Sequence, residues 1–171
     1  MFSTSAATYG LGKHHCRSIG AVCGVPDRHL FIAGTTCVNE GNEVHVVEFD
    51  ENANAFQQVA RFDHKGEVWD LAPHPSDASL LLTCSRNGGK SSGQLFRMDI
   101  EHVQPGESRE LESLGALPIK TLGDSLLRRM VWHPAGDDDA LPGAQARCTS
   151  ERFVSVQDDT VRLWELAEGR L

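Results

Sequence analysis

The chain has 171 residues, 24 acidic against 16 basic side chains and a net charge of −8, with 40% of its residues apolar and 23% charged. That is enough for one domain with a sizeable core, and too apolar for a disordered acidic tail. The negative balance opposes duplex DNA or an anionic membrane as the main partner, since both require a positive field; a locally basic patch stays compatible with it.

Short β-patterned runs then follow one another, separated by turn residues. Residues 17–25 and 30–38 are rich in Ile, Val, Phe, Thr and Cys, with a turn at Pro26-Asp27 between them. A turn over residues 39–42 precedes an alternating run over 43–49 and a fourth run over 56–62. Four such runs predict one antiparallel sheet, a first blade over residues 16–62. The arrangement returns in residues 67–72, closed by Pro73-His74-Pro75, then in 80–85, 94–99 and 110–114, a second blade over 64–114. Residues 128–132, closed by His133-Pro134, with 152–156 and 160–166, give a partial third blade over 126–171 that stops before a fourth strand.

The two His-Pro pairs lie 59 residues apart, and the aromatics of the third strands, Phe96 and Trp164, lie 68 apart. Loop insertions account for the difference, since 134–150 is longer than 86–93. Without insertions the period is roughly 40–45 residues, the length of a four-stranded propeller blade. The predicted fold is all-β, a partial β-propeller of about two and a half to three blades.

Asp158-Asp159-Thr160-Val161-Arg162-Leu163-Trp164-Glu165-Leu166 closely resembles the end of a WD repeat. Asp158 stands where that family places its turn aspartate, and the resemblance implies a carboxylate that fixes the turn and ties it to the strand carrying Trp164. Glu165 replaces the usual Asp, Val156 stands where Ser or Thr is common, and no Gly-His dipeptide starts a blade. The family's buried His–Ser–Asp–Trp network is therefore incomplete here. The structural repeat positions are Asp158, Trp164, Trp69, Trp132 and Phe96, and the three tryptophans are expected in the core between blades.

Sharper chemical readings meet stronger objections. Gly89-Lys90-Ser91 lacks the upstream glycine of a phosphate-binding loop and leads into a strand, so it reads as a loop. His14, His15, Cys16 and Cys23 fit no zinc spacing, and Cys84 with His74 or His133 lacks an orienting third group for thiol catalysis. Asp137-Asp138-Asp139 reads as a solvated acidic loop with, at most, a weak electrostatic contact. A nucleic-acid platform on the tryptophans needs surrounding cations, and only Arg128, Arg129 and Arg162 come close along the chain. The sequence points to no catalytic, cofactor or metal residue, and no short motif marks a partner-binding one.

The five cysteines are irregularly spaced with no CxxC, which suits a reducing, cytoplasmic setting. Leu80-Leu81-Leu82 and the other apolar runs are far too short to span a bilayer, and residues 1–8 lack the apolar stretch of a secretory signal.

Several segments in order resemble the EARP and GARP complex-interacting protein family. They include Tyr9-Gly10-Leu11, Phe31-Ile32-Ala33-Gly34-Thr35, the run from Asn42 to Glu51, Gly66-Glu67-Val68-Trp69, Thr83-Cys84-Ser85, Phe96-Arg97-Met98 and Val131-Trp132-His133-Pro134. The resemblance covers nearly the whole chain and about the first half of a propeller in that family. It implies a non-enzymatic adaptor that binds multisubunit tethering complexes, EARP or GARP, peripheral to endosomes and the trans-Golgi network, in endosomal recycling and retrograde vesicle traffic. It implies no cofactor, no nucleic acid and no insertion into the membrane. The alternatives are a WD-repeat scaffold of another assembly, in RNA processing or a ubiquitin ligase, and, less favoured, a propeller enzyme. Without the fourth strand and the following blade of an intact ring, the last unit is expected to leave Trp164 and Leu166 against solvent.

Overall fold

The structure is a computed structural model that describes residues 6–12, 14–38, 40–103, 106–119, 126–134 and 151–167. These form twelve strands in three sheets. The first sheet orders β1 (Cys16–Val22), β2 (Leu30–Thr35), β3 (Asn42–Asp50) and β4 (Ala55–His64) as consecutive antiparallel neighbours. The second runs β5 (Glu67–Pro73), β6 (Leu80–Asn87), β7 (Lys90–Arg97) and β9 (Glu112–Ala116). The third holds β10 (Leu127–Trp132), β11 (Arg152–Gln157) and β12 (Thr160–Glu165).

One predicted strand divides. The run expected over 110–114 becomes β9 at Glu112–Ala116, while β8 (Arg109–Glu110) leaves its own sheet and pairs in parallel with Phe62 and Asp63 of β4. A sheet edge presents unpaired N–H and C=O groups, and β8 covers part of the one that β4 exposes. The first sheet thereby gains a fifth strand from sequence assigned to the second blade.

The sheets stack face to face, with β5 packed against β1 and β2 on one side and against β10 on the other. The middle sheet is therefore buried on both faces, which explains why β6 reads as a near-continuous apolar run instead of an alternation. Val68, Leu71 and Leu81 face the first core, with Ile32, Val44, Val46 and Phe62. Ala72, Leu82, Cys84 and Leu95 face the second, with Leu127, Met130, Trp132 and Phe153. Each large apolar side chain fully removed from water contributes about 1.5–3 kcal/mol.

Gly34 sets the distance between the first two sheets. A Cβ at that position would lie 2.4 Å from Val68 Cγ1, so only hydrogen leaves room for the Val68 methyl.

The third sheet departs from expectation in which apolar groups it exposes. Period-two alternation turns Leu166 (4% exposed) and the partly buried Trp164 toward the second sheet. The outer face instead carries Val131, Val156, Val161 and Leu163, the last two 68% and 69% exposed.

Candidate interaction surface

The same irregularity occurs in all three inner strands. The antiparallel register skips one residue between Cys16 and Ser18 in β1, between Val68 and Asp70 in β5, and between Leu127 and Arg129 in β10. The unpaired residues are Arg17, Trp69 and Arg128. A bulge bends the strand and re-aims the side chain of the extra residue, so three equivalent bulges bring three large side chains to the same end of the stacked sheets.

Trp69 is the centre of this row. It is only partly buried, and two guanidinium groups cover its ring, Arg17 at 4.1 Å and Arg86 at 5.0 Å from the ring centroid. Its indole N–H donates to Glu67 Oε2 at 3.3 Å. Trp69 thus packs against the second core, as expected of a tryptophan between sheets, but only in part, and its ring is covered by two cations that its own stretch of sequence does not show. Arg17 and Arg86 come from other strands, and the bulge that exposes the ring is invisible to a period-two reading. A groove of about 710 Å³ opens beside it, lined among others by Val38, Lys65, Trp69, Arg86 and Gly89.

Asp158 lies in the β11–β12 turn, and its carboxylate accepts from the Leu126 N–H at 2.8 Å and from Arg128 Nε at 2.6 Å. The Leu126 amide, and then Arg128, hold its carboxyl below the usual aspartate range. The sequence reading tied this turn to the Trp164 strand; the tie instead reaches the entry of β10. Beside it, Asp70 accepts from the Met130 N–H at 3.0 Å and lies 3.7 Å from Arg129. Burial raises the Asp70 carboxyl, against the opposing effects of that amide and of Arg129.

The remaining repeat positions are internal. Trp132 is 6% exposed and its indole N–H donates across the sheet gap to the Ala72 carbonyl at 2.8 Å. Trp164 donates to Ser155 Oγ at 2.8 Å and stacks on Phe153. Ser155, not Val156, thus carries the hydroxyl, one register position from where the sequence comparison placed it. Phe96 packs edge-on against His64, whose Nδ1 lies 3.2 Å from the Gly66 carbonyl and whose Nε2 lies 3.1 Å from Thr83 Oγ1. A carbonyl only accepts, so Nδ1–H is the donor and the Thr83 hydroxyl donates to Nε2. Burial pushes the His64 pKa down. His64 and Ser155 are positions the sequence reading missed; the clue for His64 was its place two residues before Gly66, in a blade without a Gly-His pair.

The chemical readings set aside in the sequence find the following places. Gly88 and Gly89, both at positive φ, make the two-residue turn between β6 and β7, and Lys90 and Ser91 start a strand. Cys84 is buried, its thiol donates to the Leu127 carbonyl at 3.1 Å, and its pKa is pushed up to about 12, so it stays protonated. Cys16 and Cys23 flank opposite ends of β1, about 20 Å apart at the rise of a strand. Among the described residues no group of three His, Cys, Asp or Glu side chains could hold a metal. No described helix is long and apolar enough to cross a membrane. Asp137, Asp138 and Asp139 lie outside the described residues.

Stacked antiparallel sheets of this kind, with inner strands in matching register, are the architecture of propeller blades. A family model described as the EIPR1 beta-propeller matches residues 3–171. The chain belongs to that family. It is 26% identical over 174 residues to the EARP-interacting protein homolog of Danio rerio, and 25% identical over 174 residues to EARP and GARP complex-interacting protein 1 of Homo sapiens. Both alignments cover 94% of this chain and 41% of the relative. A WD repeat-containing protein of Arabidopsis thaliana, DWA2, is 28% identical over 167 residues, covering 98% of this chain and 43% of the relative. The chain thus spans about two fifths of the length of the curated relatives it matches, and it is an all-β chain of the propeller and WD-repeat class.

Proposed function

We propose that this chain is a non-enzymatic WD-repeat scaffold that binds the EARP and GARP tethering complexes. In this reading it works in the cytoplasm at the periphery of endosomes and the trans-Golgi network, in endosomal recycling and retrograde vesicle traffic. The observation that carries the proposal is the family match over residues 3–171, joined to relatives named for interaction with those complexes. The geometry supports a binding role. The buried Cys84 and His64 and the partly buried Asp70 are each engaged in holding one strand or sheet to another. The exposed chemistry lies in the rim row around Trp69. We further propose that the three sheets are neighbouring blades of one ring, so that the outer face of the third sheet would meet a following blade.

Tagged chain expressed in cells should co-purify with EARP or GARP subunits. Recovery of a splicing complex or a ubiquitin ligase, with no tethering subunit, would instead favour a scaffold of another assembly.

A further inference from the structure

We infer that the rim around Trp69 is a docking surface for an acidic, extended peptide segment of a partner protein. The inference rests on the scaffold reading for the identity of the partner, and on this surface for its chemistry.

Charge complementarity carries it. In a chain with a net charge of −8, Arg17 and Arg86 converge on one indole, and neither has a carboxylate within ion-pairing distance among the described residues. The contrast with the neighbouring cations is internal to the row: Arg128 is bound by Asp158 at 2.6 Å and Arg129 faces Asp70 at 3.7 Å. Two acids line the groove as well: Glu67, opposite Arg86 in the β5–β6 register, accepts from the indole N–H of Trp69, and Glu40 lies farther along it. A guanidinium over a ring face keeps N–H groups available at its edge, and those can receive a carboxylate in a paired, two-bond contact.

The surroundings define the rest of the occupant. Lys65 and Arg86 line the groove, Arg17 stands over the ring of Trp69 at its side, and Val38, 84% exposed, offers an apolar contact beside it. With three cations against two acids, the surplus positive charge sits at the two guanidinium groups over the ring, which match a segment that places a carboxylate next to an apolar side chain. A polyanion such as nucleic acid fits less well, because a few cations cannot offset the repulsion of the whole negative chain. A second copy, carrying the same negative charge, fits no better.

Two labelled peptides of eight residues, one alternating Glu and Leu and one alternating Lys and Leu, should be titrated with the full chain by fluorescence anisotropy at low salt. A single-stranded oligonucleotide of equal charge serves as a third probe. The Glu–Leu peptide should bind at least tenfold more tightly than either other probe, weaken as salt rises, and quench Trp69, a signal absent in Trp69→Phe. Arg17→Glu with Arg86→Glu should abolish that preference, whereas Arg97→Glu, on an exposed position of β7 outside this groove, should leave it intact. Circular dichroism of each variant separates lost binding from lost fold, and Arg17→Lys, which keeps the charge without the flat stack, should give an intermediate affinity. Equal binding of both peptides, tighter binding of the oligonucleotide, or full affinity in the folded double variant would overturn the inference. Capture of purified tethering subunits separates the two levels. Wild-type and double variant capturing them equally would sink the surface but leave the scaffold reading. Arg-dependent peptide binding without any tethering capture would do the reverse.

Discussion

The two gaps between sheets are closed by different physics. Between the first and second sheets, Val68 enters the notch at Gly34, apolar groups fill most of the space and one buried side-chain bond, Thr83 to His64, crosses it, while Arg17 of the first sheet reaches over Trp69 at the rim. Between the second and third, directional bonds join the core: Trp132 N–H to the Ala72 carbonyl, Met130 N–H to Asp70, Leu127 N–H to Ser91 Oγ, and the Cys84 thiol to the Leu127 carbonyl. A gap closed mainly by shape draws on fewer side-chain bonds. It leaves the bulged residues of the first gap free, whereas at the second gap Arg128 is consumed by Asp158. The same backbone device therefore yields a candidate docking surface in one place and a structural clamp in the other.

The largest expected effect tests whether the two tryptophans really differ. Trp132→Ala should destabilise the chain by about 3–5 kcal/mol, since it empties a buried site and strips the Ala72 carbonyl of its donor. Trp69→Ala should cost about 1–2 kcal/mol, because a partly exposed ring loses its cation contacts and only part of its packing on the second core. Urea denaturation followed by circular dichroism measures both; equal losses would erase the distinction between core and rim.

Next in size is the notch itself. Gly34→Val forces a side chain into the space held by Val68 and should cost about 1–3 kcal/mol, with partial recovery when combined with Val68→Ala. Failure of the second change to recover any stability would mean that Gly34 is required for its backbone and not for its size.

Strands and their grouping were legible because alternation and turn residues are local signals, and the His-Pro pairs mark equivalent places. The His74 and His133 amides donate to the Leu80 and Arg152 carbonyls respectively. What escaped depends on one-residue shifts. The bulges at Arg17, Trp69 and Arg128 leave no mark on composition, yet each changes which way the following side chains face. Ser155 was passed over for Val156 by the same margin. The Arg17–Trp69–Arg86 stack joins residues far apart in sequence, and β8 was hidden because a parallel pairing with the preceding sheet follows no hairpin rule.

Protonation gives the third test, and it weighs on the first and second sheets. Burial lowers the pKa of both His64 and His45, so each takes its proton more readily in the unfolded chain. Their contribution is complete above the ordinary histidine value of 6.5 and is lost as pH falls below it, since the folded values are depressed. The raised Asp70 carboxyl has the opposite sign but starts from the lower carboxylate range. Stability between pH 7 and pH 5.5 should decline with decreasing pH, by at most about 1.4 kcal/mol per pH unit for each histidine. His64→Gln should flatten the slope; an unchanged slope would place the titration elsewhere.

The smallest effect concerns the clamp that distinguishes the third sheet. The Asp158 pair is exposed to solvent, so its contribution is screened by salt and should fall below that of either gap mutation. Its lowered carboxyl contributes above the ordinary aspartate value of 3.8, and that contribution disappears as pH falls through the depressed folded value. Global melting is a blunt probe for such a contact. Amide hydrogen exchange at Leu126 is sharper, because that N–H donates to the carboxylate itself. Asp158→Ala removes both the acceptor and the Arg128 pair, and should speed exchange at Leu126. Asp158→Asn keeps a neutral acceptor, and should protect the amide while releasing Arg128. If the clamp is what separates Arg128 from Arg17, the Asn variant frees a guanidinium at the third bulge, and affinity for the Glu–Leu peptide should rise modestly. Peptide affinity unchanged while Leu126 stays protected would mean that register alone, and not neutralisation, keeps the third position out of the row.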